Sequence, residues 1–170
     1  MVFREGTMDD YEGIFVLYKT VAAEDGGIAR TVREITEDYV RQNLSESLAS
    51  GIVVVAENDG HIIGELHAWR MNIRIFEHVL SHLTIAVHPD FQNQKVGRRL
   101  FHLFLQKIED EMPYIRRVEL HTRAGNLRAL ALYQKLGFQI EGYLKDRDKM
   151  ADGRFDDDVS LAWMNKNYKG

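Results

Sequence analysis

At 170 residues and 45% hydrophobic content, with no repeat or low-complexity segment, the chain has the length and apolar share for one domain over 1–170. A net charge of −4, with arginine pairs only at Arg98-Arg99 and Arg116-Arg117, excludes the basic face that nucleic acid demands. The absence of cysteine excludes a disulfide framework and any covalent route through a thiol.

Thr7 and Asp10 have the spacing of a capping box. Met8, Tyr11, Ile14, Phe15, Tyr18 and Val21 then recur at helical intervals, predicting a first helix after a short initial strand. The N-terminal Met-Val-Phe-Arg-Glu is no charged leader before an apolar run, and no apolar segment reaches membrane-spanning length. A cytoplasmic protein without membrane contact is expected. Glu24 to Arg30, with Gly26-Gly27, reads as a loop. Thr36 then caps a second helix with Val40, Leu44 and Leu48 on its apolar side, ending near Gly51.

The β-branched run Ile52 to Ala56 and the stretch His61 to Trp69 form a predicted antiparallel pair around the Asn58-Asp59-Gly60 turn. Val79 to Val87 is a further strand. A short polar loop follows, then a helix with Leu100, Phe104, Ile108 and Met112 in line, stopped before Pro113. Arg117 to Thr122 is another strand, and Asn126 to Leu136 a helix ended by Gly137. Phe138 to Arg147 and Asp157 to Met164 close the chain as a hairpin around Asp152-Gly153. The elements do not alternate strictly, so the sheet is mixed, and its middle strand feeds the polar loop.

The junction from Val87 to Leu100 is an anion site in outline. The first turn of a helix leaves backbone N–H groups unpaired at the positive end of its dipole, and an unobstructed loop before it can wrap a phosphate. Val87-His88-Pro89 followed by Gln92-Asn93-Gln94-Lys95-Val96-Gly97 resembles the acetyl-CoA motif of the GCN5-related N-acetyltransferase (GNAT) superfamily. That motif runs Gln or Arg, two residues, Gly, one residue, Gly or Ala after a strand ending in Val-x-Pro. Asn126 to Phe138 resembles the same family's Asn, Ala, Tyr and Gly-Phe pattern, and the order of elements matches it over nearly the whole chain.

The resemblance implies an α/β fold of mixed type: a mostly antiparallel central sheet, splayed between Val79–Val87 and Arg117–Thr122, flanked by about four helices. It also implies acetyl-CoA as cosubstrate. Pantetheine would pair like an added strand with the backbone of Ile85, Ala86 and Val87. The pyrophosphate would rest on the amides of Gln92, Asn93, Gln94, Lys95, Val96, Gly97 and Arg98, with Asn126, Ala129 and Tyr133 near the pantetheine arm. One residue departs from the pattern: Lys95 stands where the family keeps glycine. A lysine is disfavoured there if the backbone needs positive φ, yet it keeps its amide and adds an ammonium that can pair with phosphate.

Direct acetyl transfer to an amine needs a neutral nucleophile, a stabilised oxyanion and a proton donor at sulfur. Tyr133 holds the family's tyrosine position, and a phenol titrating near ~10 stays protonated at neutral pH. A core aromatic is the plainer reading of its helical spacing. The strand glutamate that serves as base in many relatives falls at His82, which can take a proton itself or leave that to water. Glu65 and His67 share a face of the neighbouring strand. They select a cationic acceptor, Glu65 doubling as a second base, or are simply solvated. The resemblance puts the oxyanion donor at the Val87 amide, at an irregular strand end.

Asn126 also suits a helix cap. His67, His82 and His121 have no metal-ligand spacing, and no metal is expected. The acceptor is an amine of unspecified class, and a homodimer through the C-terminal strand is compatible with the fold. The alternative is a CoA-holding sensor of the same fold, suggested by Lys95 and the missing glutamate.

Overall fold

The computed structural model describes residues 1–24 and 27–170; Gly26 of the expected loop lies outside them. The strands are β1 (Val2–Glu5), β2 (Gly51–Asn58), β3 (His61–Trp69), β4 (Val79–Val87), β5 (Arg117–Arg123), β6 (Gln139–Lys149) and β7 (Phe155–Met164). The helices are α1 (Tyr11–Ala22), α2 (Glu37–Ser50), α3 (Val96–Glu111) and α4 (Leu127–Lys135). They form one seven-stranded sheet in the order β1-β2-β3-β4-β5-β7-β6. Every neighbouring pair is antiparallel except β4 and β5.

That parallel junction positions the site. Among the described residues its ladder has two rungs, Val79 opposite Arg117 and Leu80 opposite Val118. On its other edge β4 stays paired with β3 as far as Val87. From Ser81 onward the β5-facing edge of β4 therefore carries backbone donors and acceptors with no strand beside them.

Two apolar layers sandwich the sheet. On one face α3 buries Leu100, Phe101, Phe104 and Ile108 against β2, β3 and β5, joined by Tyr133 of α4 and by Phe138. Each such large side chain contributes about 1.5–3 kcal/mol when fully buried. On the other face α1 and α2 cover Val53, Val55 and Ala86 with Ile14, Leu17, Tyr18, Val40 and Leu44. Both α3 and α4 lie on the first face, so the opposite face of β5, β7 and β6 presents Glu119, His121 and Ser160 outside either core.

Local chemistry explains the boundaries. Asp10 accepts a hydrogen bond from the Thr7 amide at 2.8 Å, so the capping box closes a short 3-10 turn, Met8–Asp10, ahead of α1. Thr36 caps α2 by accepting from the Tyr39 amide at 3.2 Å. Asp59 and Gly60, at φ 50° and 79°, make the β2–β3 turn.

Several expectations need correction. Met8 and Leu48 are exposed while Leu17 is buried, because each helix rotates to fit the sheet beneath it. The closing strands run longer than expected, to Lys149 and from Phe155, since pairing across the Asp152-Gly153 turn holds polar residues in extended form. The C-terminal strand β7 lies between β5 and β6 and has no free edge for a partner copy.

Candidate active site

The loop after β4 turns through Pro89–Phe91 as a 3-10 turn and reaches α3 through two residues at positive φ, Asn93 at 61° and Lys95 at 64°. Asparagine tolerates this region. For lysine the left-handed backbone costs roughly 1–2 kcal/mol, so the residue that replaces the family's glycine keeps a glycine-like conformation. Lys95 is the residue before Val96, at the head of the 16-residue α3, where the unpaired amides of the first turn point outward. Two links tie the loop down. The Gln92 side-chain amide donates to the Val87 carbonyl, and Arg128 donates to the Gln92 side-chain oxygen, both at 3.4 Å. Gln94 donates to the Asp90 carbonyl at 2.9 Å. Lys95, Arg98 and Arg128, all exposed, make the loop mouth cationic.

On β4, Ile85 and Val87 pack toward α3 while Ala86 faces α1 and α2, as strand alternation requires. Gly97 lies over them; a Cβ there would meet the Ile85 and Val87 side chains at 3.5 and 3.7 Å. Asn126 caps α4 through a 3.2 Å hydrogen bond from the Ala129 amide, so its cap role is present whatever else it contacts. Two turns later Tyr133 packs between Phe101 and Phe138, with ring centroids 5.5 and 6.0 Å away. Burial pushes its hydroxyl up to about 12.

Strand β4 carries its irregularity in the middle and not at the Val87 end. His67 opposes Thr84 and Trp69 opposes Ser81, so two steps on β3 face three on β4. The inserted residue creates a bulge, and His82 within it adopts φ 53°. The His82 side chain is exposed and lies flat on Trp69, with ring centroids 4.6 Å apart and planes 9° apart. Trp69 stacks in turn on His67 at 5.3 Å.

Glu65 and His67 are not solvated. They are 1% and 2% exposed, roofed by α1. The Tyr18 hydroxyl donates to Glu65 Oε2 at 2.6 Å, and His67 Nδ1 lies 2.8 Å from Glu65 Oε1. The Tyr18 hydroxyl also lies 3.0 Å from His67 Nδ1, so the three groups close a buried polar cluster. Nε2 is buried without a partner among the described residues. Burial and the Glu65 charge push the Tyr18 phenol well above its usual value. With both oxygens engaged beneath a helix, Glu65 is a linchpin between α1 and β3 and not an open base.

Across the splay, His121 on β5 has Nδ1 3.2 Å from the Asp158 carboxylate of β7, which Arg147 also approaches at 3.3 Å. Nothing in the spacing from residue 121 to residue 158 signals this pair, because only strand register brings the two together. Arg128 differs in this respect: a basic residue in the first turn of the helix beside the loop is a legible cue. Among the described residues no group of three His, Asp or Glu side chains is placed to hold a metal, and no helix is long and apolar enough to cross a membrane.

The model of the acetyltransferase (GNAT) family matches residues 15–138. The chain belongs to that family. Among curated relatives, the spore coat polysaccharide biosynthesis protein SpsD of Bacillus subtilis (strain 168) is 33% identical over 109 residues. That match takes in 64% of this chain and 34% of SpsD. The ribosomal protein bS18-alanine N-acetyltransferase of Escherichia coli (strain K12) is 36% identical over 72 residues, 42% of this chain and 47% of the relative. The chain thus spans about a third to a half of the length of these relatives. The structure of yncA from Salmonella typhimurium with its cofactor acetyl-CoA superposes with a TM-score of 0.86. At 17% identity it covers 100% of this chain and 96% of that one, and shows the shared fold.

Proposed function

We propose that this chain is a single acetyltransferase domain that moves the acetyl group of acetyl-CoA directly to an amine. The observation that carries the reading is the conjunction of the open β4 edge with the loop at the head of α3. The first offers strand-like hydrogen bonds to pantetheine, and the second offers amides and three cations to pyrophosphate. Lys95 fits this use: its left-handed backbone presents the amide as glycine would, and its ammonium adds a charge for phosphate.

Within this reading, Ile85, Ala86 and Val87 flank the pantetheine, and Gln92 through Arg98 line the pyrophosphate. Asn126 and Ala129 border the arm. A β4 amide on the open edge, at or before Val87, stabilises the oxyanion. Tyr133 faces the departing sulfur. A phenol at about 12 is a weaker acid than a thiol near ~8.5, so it acts by lending a hydrogen bond as charge builds on sulfur. His82, on the bulge and open to solvent, walls the acceptor side and can accept a proton there. Glu65 acts through the fold, holding α1 and His67.

The acceptor is an amine. The E. coli relative is named for an alanine amino group on a ribosomal protein, which brings protein N-termini forward beside small amines. The names of these relatives weigh against a CoA-holding sensor. The cysteine-free composition suits work in the cytoplasm, and a homodimer that pairs strands would use the outer edge of β1 or β6. The test is calorimetric titration with acetyl-CoA, followed by thioester consumption against amino acids, polyamines, aminoglycosides and peptides with free N-termini. Saturable binding and turnover of at least one amine are expected. Binding with a uniform blank across the panel would restore the sensor reading.

A further inference from the structure

Two helices and two strands contribute rings to one continuous row on the α1 side of the sheet. From centroid to centroid, Tyr39 of α2 lies 6.5 Å from Tyr18 of α1, and Tyr18 lies 6.5 Å from His67 of β3. His67 stacks on Trp69 at 5.3 Å, and Trp69 stacks on His82 of β4 at 4.6 Å. The two ends of the row differ. Arg30 covers the Tyr39 ring, its guanidinium carbon 4.3 Å from the centroid. The exposed His82 ring has Trp69 as its one stacking partner among the described residues, so its other face is free.

The bulge creates that free face. Opposite Ala68, which belongs to the α3-side core, β4 places two residues where a regular strand has one. Leu83 keeps the α3 side. His82 is the extra residue, and its positive φ turns the ring to the other face of the sheet, over Trp69. Histidine tolerates a left-handed backbone better than most residues, but a strand holds one there only where its surroundings fix it.

The position is the acceptor's. Strand β4 parts from β5 after Leu80, so His82 stands at the closed end of the splay. With pyrophosphate on the loop beyond Val87, pantetheine laid along Val87 to Ile85 runs back toward this end and brings its thioester up to the bulge. The connection that leaves β3 at Trp69 and returns just ahead of His82 exposes Ile73, Ile75 and Phe76. Glu65, the carboxylate that joins the row, is buried with both oxygens engaged. The row therefore offers a flat ring with apolar neighbours and no free anion for a second ammonium. We infer that His82 determines specificity: its free face stacks on an aromatic ring that the acceptor carries close to its amine. The inference rests on the acetyl-transfer reading and gives its substrate class as an arylalkylamine, whether free or as an aromatic residue at a peptide N-terminus.

The experiment compares kcat/KM, by thioester consumption, for paired acceptors that differ in flatness and not in carbon skeleton. One arm uses phenethylamine against 2-cyclohexylethylamine, and the other uses peptides that begin with phenylalanine against cyclohexylalanine. Wild type is expected to favour the aromatic member about two- to tenfold in at least one arm, and the arm that responds separates free amine from peptide. His82→Asn tolerates the left-handed backbone but has no ring, and should bring the ratio close to one. His82→Phe keeps a flat ring and should keep the preference, with acetyl-CoA affinity unchanged in both variants. Loss of a proton acceptor at His82 would slow both members of a pair alike, so the ratio reads stacking alone. If His82→Phe melts early, the His82→Asn ratio decides, and a preference that survives there overturns the proposal. A wild-type ratio near one in both arms overturns it as well, as does a wild type that binds acetyl-CoA and acetylates neither aromatic probe. A wild type that binds no acetyl-CoA sinks the acetyl-transfer reading itself, a result separate from any ratio.

Discussion

Lys95 and Tyr133 show how far a single residue can be read before its neighbours are seen. The motif marks Lys95 as the departure from glycine, but whether this matters depends on φ, and φ 64° makes it matter. Lys95→Gly should relieve left-handed strain and raise unfolding stability by about 1 kcal/mol, measured by urea denaturation. The same variant should bind acetyl-CoA several-fold more weakly at low salt, with the gap narrowing as salt screens the lost ammonium. Tyr133 fits both of its sequence readings: its ring fills the core between Phe101 and Phe138 while the hydroxyl carries the chemical possibility. Tyr133→Phe keeps that packing, so the melt should hold while kcat falls by roughly 10–100-fold with little change in KM for acetyl-CoA. Glu65 and His67 show the opposite case. Alternation along a strand says that they share a face, but not that α1 will cover it, because that depends on a packing partner more than forty residues away.

At the scale of elements, strands and helices were legible wherever one period dominates, as along His61–Trp69 and Val79–Val87. The bulge at His82 was not, since an inserted residue is defined by register against β3 and leaves no mark in β4's own pattern. Attachment of α1 to the sheet edge is another product of register. Arg4 of β1 donates to both oxygens of Asp10 at 2.7 and 2.9 Å while also meeting Glu57 of β2. The Arg4 guanidinium holds the Asp10 carboxyl below its usual range against the opposing effect of burial. A lowered folded-state value means that this stabilisation is complete above the ordinary carboxylate pKa near ~3.9 and is lost as pH falls through the lowered value. Asp10→Asn should therefore cost about 1–3 kcal/mol at pH 7, and the difference from wild type should shrink in urea melts at about pH 3.

Over the whole molecule, the mixed sheet and its central strand followed from element order and the splay from the family resemblance, whereas the His121–Asp158 pair needed tertiary pairing. The two β4–β5 rungs mark where two half-sheets diverge while sharing the α3-side core, and no local residue choice encodes that divergence. A ligand bridging the halves should stabilise both together. Acetyl-CoA at a hundredfold excess over its Kd is expected to add about 2.7 kcal/mol and to raise Tm by about 5–10 °C, read by thermal shift. The open edge of β4 has a consequence for the protein's fate as well. A run of unpaired backbone groups in the middle of a sheet is the template that stray extended chains recruit onto, and natural proteins blunt such edges with charge, proline or cover. Between Ser81 and Val87 the edge bears none of these, and its side chains are mostly small or apolar. A strand-like ligand on that edge is expected to act as a gatekeeper, so added acetyl-CoA should slow aggregation of this chain, read by light scattering at constant temperature.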